Sequence, residues 1–241
     1  MLGTIARYAA ASAVETRRFV GNRFRKGARY GLGFTLAVLG IGIAAWLFVE
    51  IAEGLTKRGI DHYLDVRIQQ VAAQLVNPAI TPWAILVTNI GGVIFTTAII
   101  CVLAAAFIRA RAWWTLRRLL ISTGLWWPLD ELLKAVFHRA RPIEQLVPVP
   151  GYAFPSGHAF MAVILYGFLI HWVWTFVRSL GKRIGVTVGC VAMILLIGAS
   201  RVYLNVHWPS DVLGGYAIGL VCLLSVIAVI RVFEPRRGEV P

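Results

Sequence analysis

Six long apolar stretches, at about 31–51, 83–107, 116–137, 157–177, 184–203 and 210–233, recur along the chain. Each approaches the roughly 20 residues that a helix needs to cross a bilayer. Hydrocarbon offers no water to backbone N–H and C=O groups, so such stretches must satisfy themselves as packed helices. The third is the least clean, because it carries Pro128, Asp130 and Glu131. The expected fold class is therefore all-α: a polytopic membrane protein with six transmembrane helices in a bundle. A chain that is 59% hydrophobic and only 15% charged is too apolar for a soluble domain. Residues 1–30 read as a basic cytoplasmic tail, 31–233 as the six-span domain, and 234–241 as a short cytoplasmic end. The tail looks like part of a retained signal anchor rather than a cleaved leader.

Net charge is +13, and its distribution sets the orientation. The N-terminal tail carries seven Lys or Arg, 109–118 four, 178–183 three and the C-terminal end three. Only seven of the 24 fall on the other side. By the positive-inside rule both termini are cytoplasmic. Trp113, Trp114, Trp172 and Trp174 sit near that same boundary, where indoles favour the headgroup zone. The basic excess is thus a topology signal, and no nucleic-acid partner is expected. The absence of an Asn-x-Ser/Thr sequon favours a bacterial plasma (inner) membrane.

Between the first two spans, Ile60, Leu64, Ile68 (with Val71) and Leu75 recur at helical spacing, and Asn77-Pro78 closes the run. An amphipathic helix on the outer membrane surface is expected there. Cys101, Cys190 and Cys222 are too scattered for a metal pattern and odd in number; they read as small buried hydrophobes.

Against this apolar background "AFPSGHAF" (153–160) is out of place. By itself it reads as a Pro-Ser cap followed by an incidental histidine. Two further clusters fall at the same predicted depth, "KAVFHRARP" (134–142) and "SRVYLNVHWPSD" (200–211). Ionisable groups at membrane depth are costly and mark function. Together the three stretches bring Lys134, Arg141, Ser156, His158, Arg201, His207 and Asp211 to the outer face.

These residue types suit phosphoryl transfer, which needs clamped oxygens, an in-line nucleophile and a proton for the leaving oxygen. Lys134 and Arg141 lie seven apart, two helical turns, so both reach one side. Arg201 adds a planar fork that matches phosphate oxygens. Ser156, with the N–H groups of Gly157 and His158, completes an anion cradle at a helix start. Gly157 lets the phosphate approach the backbone. His207 and Asp211 are four apart, so the carboxylate can orient the imidazole, as a nucleophile requires. His158 has no acidic neighbour in its motif and suits a general acid. Glu144, just past Arg141-Pro142, is a candidate headgroup contact.

Lys134-x6-Arg141-Pro142, then Pro155-Ser156-Gly157-His158, then Ser200-Arg201-x5-His207-x3-Asp211 resembles the signature of the type 2 phosphatidic acid phosphatase superfamily. The resemblance implies metal-independent hydrolysis through a phosphohistidine. His207 would be the nucleophile, Asp211 its partner and His158 the acid, with Lys134, Arg141, Ser156, Gly157 and Arg201 holding phosphate. No metal or cofactor is expected. The expected substrate is a lipid phosphate or pyrophosphate, of undecaprenyl pyrophosphate, phosphatidylglycerophosphate or phosphatidic acid type. The alternative is a phosphotransferase that passes the phosphoryl group to another lipid or sugar from the same pocket. A lipid-binding protein with a dead pocket is disfavoured by the complete set of nucleophilic and proton-transfer residues.

Overall fold

The computed structural model describes residues 31–57 and 60–234. The expected N-terminal tail, and all but the first residue of the expected C-terminal one, lie outside the described residues. Within them the chain forms eight helices and no strand: α1 (Leu32–Lys57), α2 (Ile60–Gln74), α3 (Thr81–Ile90), α4 (Val93–Arg109), α5 (Trp113–Phe137), α6 (Gly157–Phe176), α7 (Leu180–Tyr203) and α8 (Pro209–Phe233).

α6 is the central post. It is apolar on all sides, and such a helix is stable only when neighbours enclose it. Ala162, Ile164 and Leu165 are fully buried, and Phe160 and Phe168 join Leu119 of α5 and Leu223 of α8 in the main core. α6 packs against α5, α7 and α8, and α1 lies along α8. Gly215 and Gly219 let α8 approach α6 closely. A Cβ on Gly215 would stand 2.6 Å from the Ser156 carbonyl oxygen, and one on Gly219 2.8 Å from Val163 Cβ. That approach seats the start of α6 against the start of α8.

The outward surfaces carry large apolar side chains, among them Ile43, Trp46, Ile94 and Val102, as lipid contact demands. By length and apolarity α1, α6, α7 and α8 each qualify as a membrane span. The expected single span at 83–107 is instead two helices, α3 and α4, bent by 41°. The break falls at Gly91-Gly92, where a Cβ on Gly91 would meet Ile197 Cγ2 of α7 at 2.6 Å. α5 has the length of a span, about 37 Å at 1.5 Å per residue. Arg117, Arg118, Asp130, Glu131 and Lys134 make it too polar to qualify by composition.

α2 occupies the segment where a surface helix is expected. Its Leu64, Ile68 and Val71 are exposed, while Asp65 and Gln69 are buried against the bundle. Gln69 donates to the Val202 carbonyl at 2.9 Å. The turn after α2 is held by Asn77, whose side-chain oxygen accepts from the Ala79 N–H at 2.8 Å. Cys190 and Cys222 are buried, but Cys101 is exposed on α4.

Candidate active site

Three chain breaks meet at one end of the bundle. The 138–156 loop leaves α5, α6 starts at Gly157, and the 204–208 turn joins α7 to α8. Backbone contacts tie them together. Ser156 N–H donates to the Asp211 carbonyl at 2.9 Å, Ala153 N–H to Arg139 at 2.8 Å, and Leu146 N–H to Leu204 at 3.0 Å.

The loop arginine closes the ring. Arg141 Nε donates to the Gly151 carbonyl at 3.0 Å and Nη1 to the Val206 carbonyl at 2.7 Å. The same Nη1 lies 3.1 Å from His207 Nε2. His207 is 2% exposed and Asp211 0%, so both are sealed behind the arginine. Asp211, at the third position of α8, reaches back to accept from the Trp208 N–H at 2.8 Å, the arrangement of a capping box. Its Oδ2 also faces His207 Nδ1 at 3.5 Å. The nitrogen nearer Asp211 is therefore Nδ1, and Nε2 points to Arg141.

The remaining motif residues converge on this pair. His158, on the first turn of α6, lies within electrostatic reach of Arg201, His207, Lys134 and Arg141. Arg201 is buried and donates to Thr88 Oγ1 of α3 at 2.8 Å. Lys134 Nζ is 2.5 Å from Asp130 Oδ2 and 3.8 Å from Glu131 Oε1. Ser156 caps α6 without using its hydroxyl in the cap. Ser156 Oγ, Arg201 Nε and His207 Nδ1 are buried with no hydrogen-bond partner among the described residues. Buried polar atoms are normally paired, so Ser156 Oγ and Arg201 Nε are candidates to meet a bound anion, whereas His207 Nδ1 already faces Asp211.

The electrostatics follow from this crowding of cations. His207 is pushed well below the usual 6.5, first by burial and then by Arg201, Arg141 and Lys134. It is a neutral imidazole at pH 7. Burial also lowers Arg141, opposed by Asp211 and Asp130. Among the described residues no group of three His, Cys, Asp or Glu side chains is placed to hold a metal ion.

Glu144 is exposed in the loop, and its backbone carbonyl accepts from Asn205 at 2.6 Å. Four participants are absent from the motif reading. Arg139 bonds Asp211 and Asp65, Asp130 holds Lys134, and Thr88 holds Arg201. An available signal was Arg139 itself, a basic residue on the side where few occur, which at membrane depth requires a carboxylate partner.

The family profile described as PAP2 superfamily matches residues 116–234, which contain all three clusters. The chain belongs to the PAP2 superfamily. It is a phosphatase, a hydrolase integral to the membrane. Phosphatidylglycerophosphatase B of Bacillus subtilis is 28% identical over 188 residues, 76% of this chain and 92% of that protein. An undecaprenyl-diphosphatase of Sulfolobus acidocaldarius is 34% identical over 110 residues, 41% of this chain and 47% of that one. The crystal structure of a transmembrane PAP2 type phosphatidylglycerolphosphate phosphatase from Bacillus subtilis superposes with TM-score 0.75 at 26% identity. It covers 82% of this chain and 98% of its own. Aquifex aeolicus LpxE, at 22% identity and TM-score 0.56 over 67% of this chain and 93% of its own, shares the fold.

Proposed function

We propose that this PAP2 protein hydrolyses a lipid phosphate monoester or diphosphate at the outer face of a bacterial plasma membrane, through a phosphohistidine on His207. The observation that carries this reading is the buried His207, with its Nε2 beside the Arg141 guanidinium and its Nδ1 toward Asp211. Asp211 favours the proton on Nδ1, which leaves the Nε2 lone pair for phosphorus.

In the first half-reaction Nε2 attacks the terminal phosphorus and its bond to the leaving oxygen breaks. That oxygen departs on the lipid alcohol of a monoester or on the lipid monophosphate of a diphosphate. His158 gives that oxygen its proton. In the second, His158 takes a proton from water, whose oxygen displaces Nε2, and inorganic phosphate leaves. Lys134, Arg141 and Arg201 hold the phosphate oxygens with the Ser156 hydroxyl and the N–H groups at the start of α6. Side-chain cations fill the role that a divalent ion has in other phosphatases, so no metal is needed.

The substrate class follows from the relatives, which act on phosphatidylglycerophosphate and undecaprenyl diphosphate by name. Glu144, exposed on the loop beside Arg141, is assigned a headgroup contact. We assign α5 as a span whose charged outer end lines the wet site, making six with the bent α3–α4 pair. Both termini are then cytoplasmic, and α2 rests on the outer interface with Leu64, Ile68 and Val71 toward lipid.

The test is to offer the purified chain a panel of lipid phosphates and diphosphates, counting free and transferred phosphate, and to trap phosphoenzyme by rapid quench. Free phosphate, with an acid-labile phosphoenzyme lost in His207→Ala, is expected. Phosphate found mainly on an acceptor lipid would make the chain a phosphotransferase, and phosphoenzyme in His207→Ala would remove the nucleophile assignment.

A further inference from the structure

Behind the catalytic pair, Asp211 belongs to a second set of charges completed by Arg139 and Asp65, neither of which is a signature residue. Arg139 Nη1 donates to Asp211 Oδ1, and at 2.7 Å to Ser210 Oγ. Its Nη2 donates to Asp65 Oδ2 at 2.5 Å. Asp65 in turn accepts from the Ser210 N–H at 2.9 Å and from Ser210 Oγ at 2.5 Å. Asp65 and Asp211 are 2% and 0% exposed. One cation and two carboxylates are thus closed into a ring by a serine, joining α2, the loop after α5 and the first turn of α8.

A buried ion network of this kind is weak grounds for stability, since desolvation opposes the attraction. Its geometry is more informative. The guanidinium is planar and its donors are fixed relative to one another, so anchoring Nη2 on Asp65 sets where Nη1 meets Asp211. With Oδ1 held by Arg139 and Oδ2 taking the Trp208 N–H, the Asp211 carboxylate cannot rotate. Oδ2 is thereby left facing His207 Nδ1. Both terminal nitrogens of Arg139 are committed to this ring, unlike Arg201, whose Nε is buried without a partner.

The geometry points to Arg139 and Asp65 as positioning residues that aim the Asp211 carboxylate at His207, from a network lying outside the phosphate cradle. This rests on the reading of His207 as nucleophile with Asp211 as its partner. A phosphate-binding arginine contacts substrate in ground and transition states, so its loss would raise KM as well as lower kcat. Arg139 reaches the catalytic pair through Asp211 alone, its other side-chain bonds going to Asp65 and Ser210, so its loss should fall on kcat.

The experiment uses the full chain in detergent with dioctanoyl phosphatidic acid, measuring steady-state phosphate release and phosphoenzyme formation by rapid quench. Arg139→Gln is expected to lower kcat and the phosphorylation rate about 10–10²-fold, as loss of an orienting partner does, with KM changed less than about threefold. Asp65→Asn should act in the same direction with a smaller loss, and Arg139→Lys should recover part of the rate. In an Asp211→Asn background, Arg139→Gln and Asp65→Asn should cost almost nothing further, because the network then has no carboxylate to aim. Losses that multiply with Asp211→Asn, or that fall on KM with kcat intact, would overturn the proposal. If Arg139→Gln does not accumulate as folded protein, the Asp65→Asn cycle decides the same question. His207→Ala in parallel separates the two readings: phosphoenzyme surviving there sinks the nucleophile assignment, whatever Arg139 does.

Discussion

Gly157 stands directly against Asp130: a Cβ at Gly157 would come 2.8 Å from one carboxylate oxygen and 3.2 Å from the other. Asp130 also holds Lys134 Nζ at 2.5 Å, so the missing side chain leaves room for the carboxylate that steadies a phosphate-binding cation. Gly157→Ala should separate folding from catalysis. The added methyl at this first residue of α6 meets the end of one side chain rather than backbone, so the protein should still accumulate. Asp130 must shift, Lys134 with it, and kcat/KM should fall about 10–10²-fold, the scale of an ångström misplacement. Phosphate release, normalised to folded protein by gel filtration, measures this. Wild-type kinetics in the alanine variant would mean that Asp130 does not set Lys134.

The pH dependence should show a protected imidazole. The folded pKa of His207 lies well below 6.5, through burial and then through Arg201, Arg141 and Lys134. As pH falls, the nucleophile therefore stays neutral through 6.5 and is protonated only at much lower pH. The unfolded chain takes that proton near 6.5, so this residue also lowers stability as pH drops below that value. The profile of kcat/KM, corrected for substrate ionisation near pH 6, should show no His207 limb between about 6 and 7. A His207 ring resonance that titrates at about 6.5 by NMR would show the ring to be solvated.

The three clusters were legible because their chemistry is local. Lys134 and Arg141 flank one helix end, Ser156 caps another helix, and His207 with Asp211 spans one turn. Residue type and spacing therefore carry the geometry. α2 shows where this fails. Its apolar period marks a helix, but in a membrane protein an apolar stripe marks lipid contact as readily as core. The inward face is instead the polar one, with Asp65 and Gln69. The partner of Asp65 lies 74 residues away, a pairing that only the tertiary fold creates. The break at Gly91-Gly92 was hidden for a related reason: Ile197, the side chain that requires glycine there, belongs to a different helix.

Sidedness can be tested at the loop beside the site. Ile143 is 98% exposed, and the proposed topology puts its loop on the outer face. Ile143→Cys should react with an impermeant thiol reagent added to intact cells. Cys101 is exposed on α4 and should first be changed to serine, while Cys190 and Cys222 are buried. Labelling that requires permeabilised cells would place the site on the cytoplasmic side and invert the topology.

The two histidines should fail differently when the leaving group changes. His158, on the first turn of α6, lies within electrostatic reach of His207 and of the three cations around it. Its assigned task is to protonate the departing oxygen, and a general acid contributes about 10²–10⁴-fold where that proton is needed. A lipid alkoxide needs it, whereas nitrophenolate departs readily as an anion. His158→Ala should therefore lose most hydrolysis of lipid phosphate but keep measurable phosphoenzyme formation from p-nitrophenyl phosphate. His207→Ala should lose both, because no leaving group compensates for a missing nucleophile. Asp211→Asn should resemble a weakened His207 change with either substrate, since it disturbs the orientation and charge of that ring. Rapid-quench trapping of labelled phosphoenzyme with both substrates distinguishes the three variants. If phosphoenzyme persists in His207→Ala and disappears in His158→Ala, the two roles are reversed.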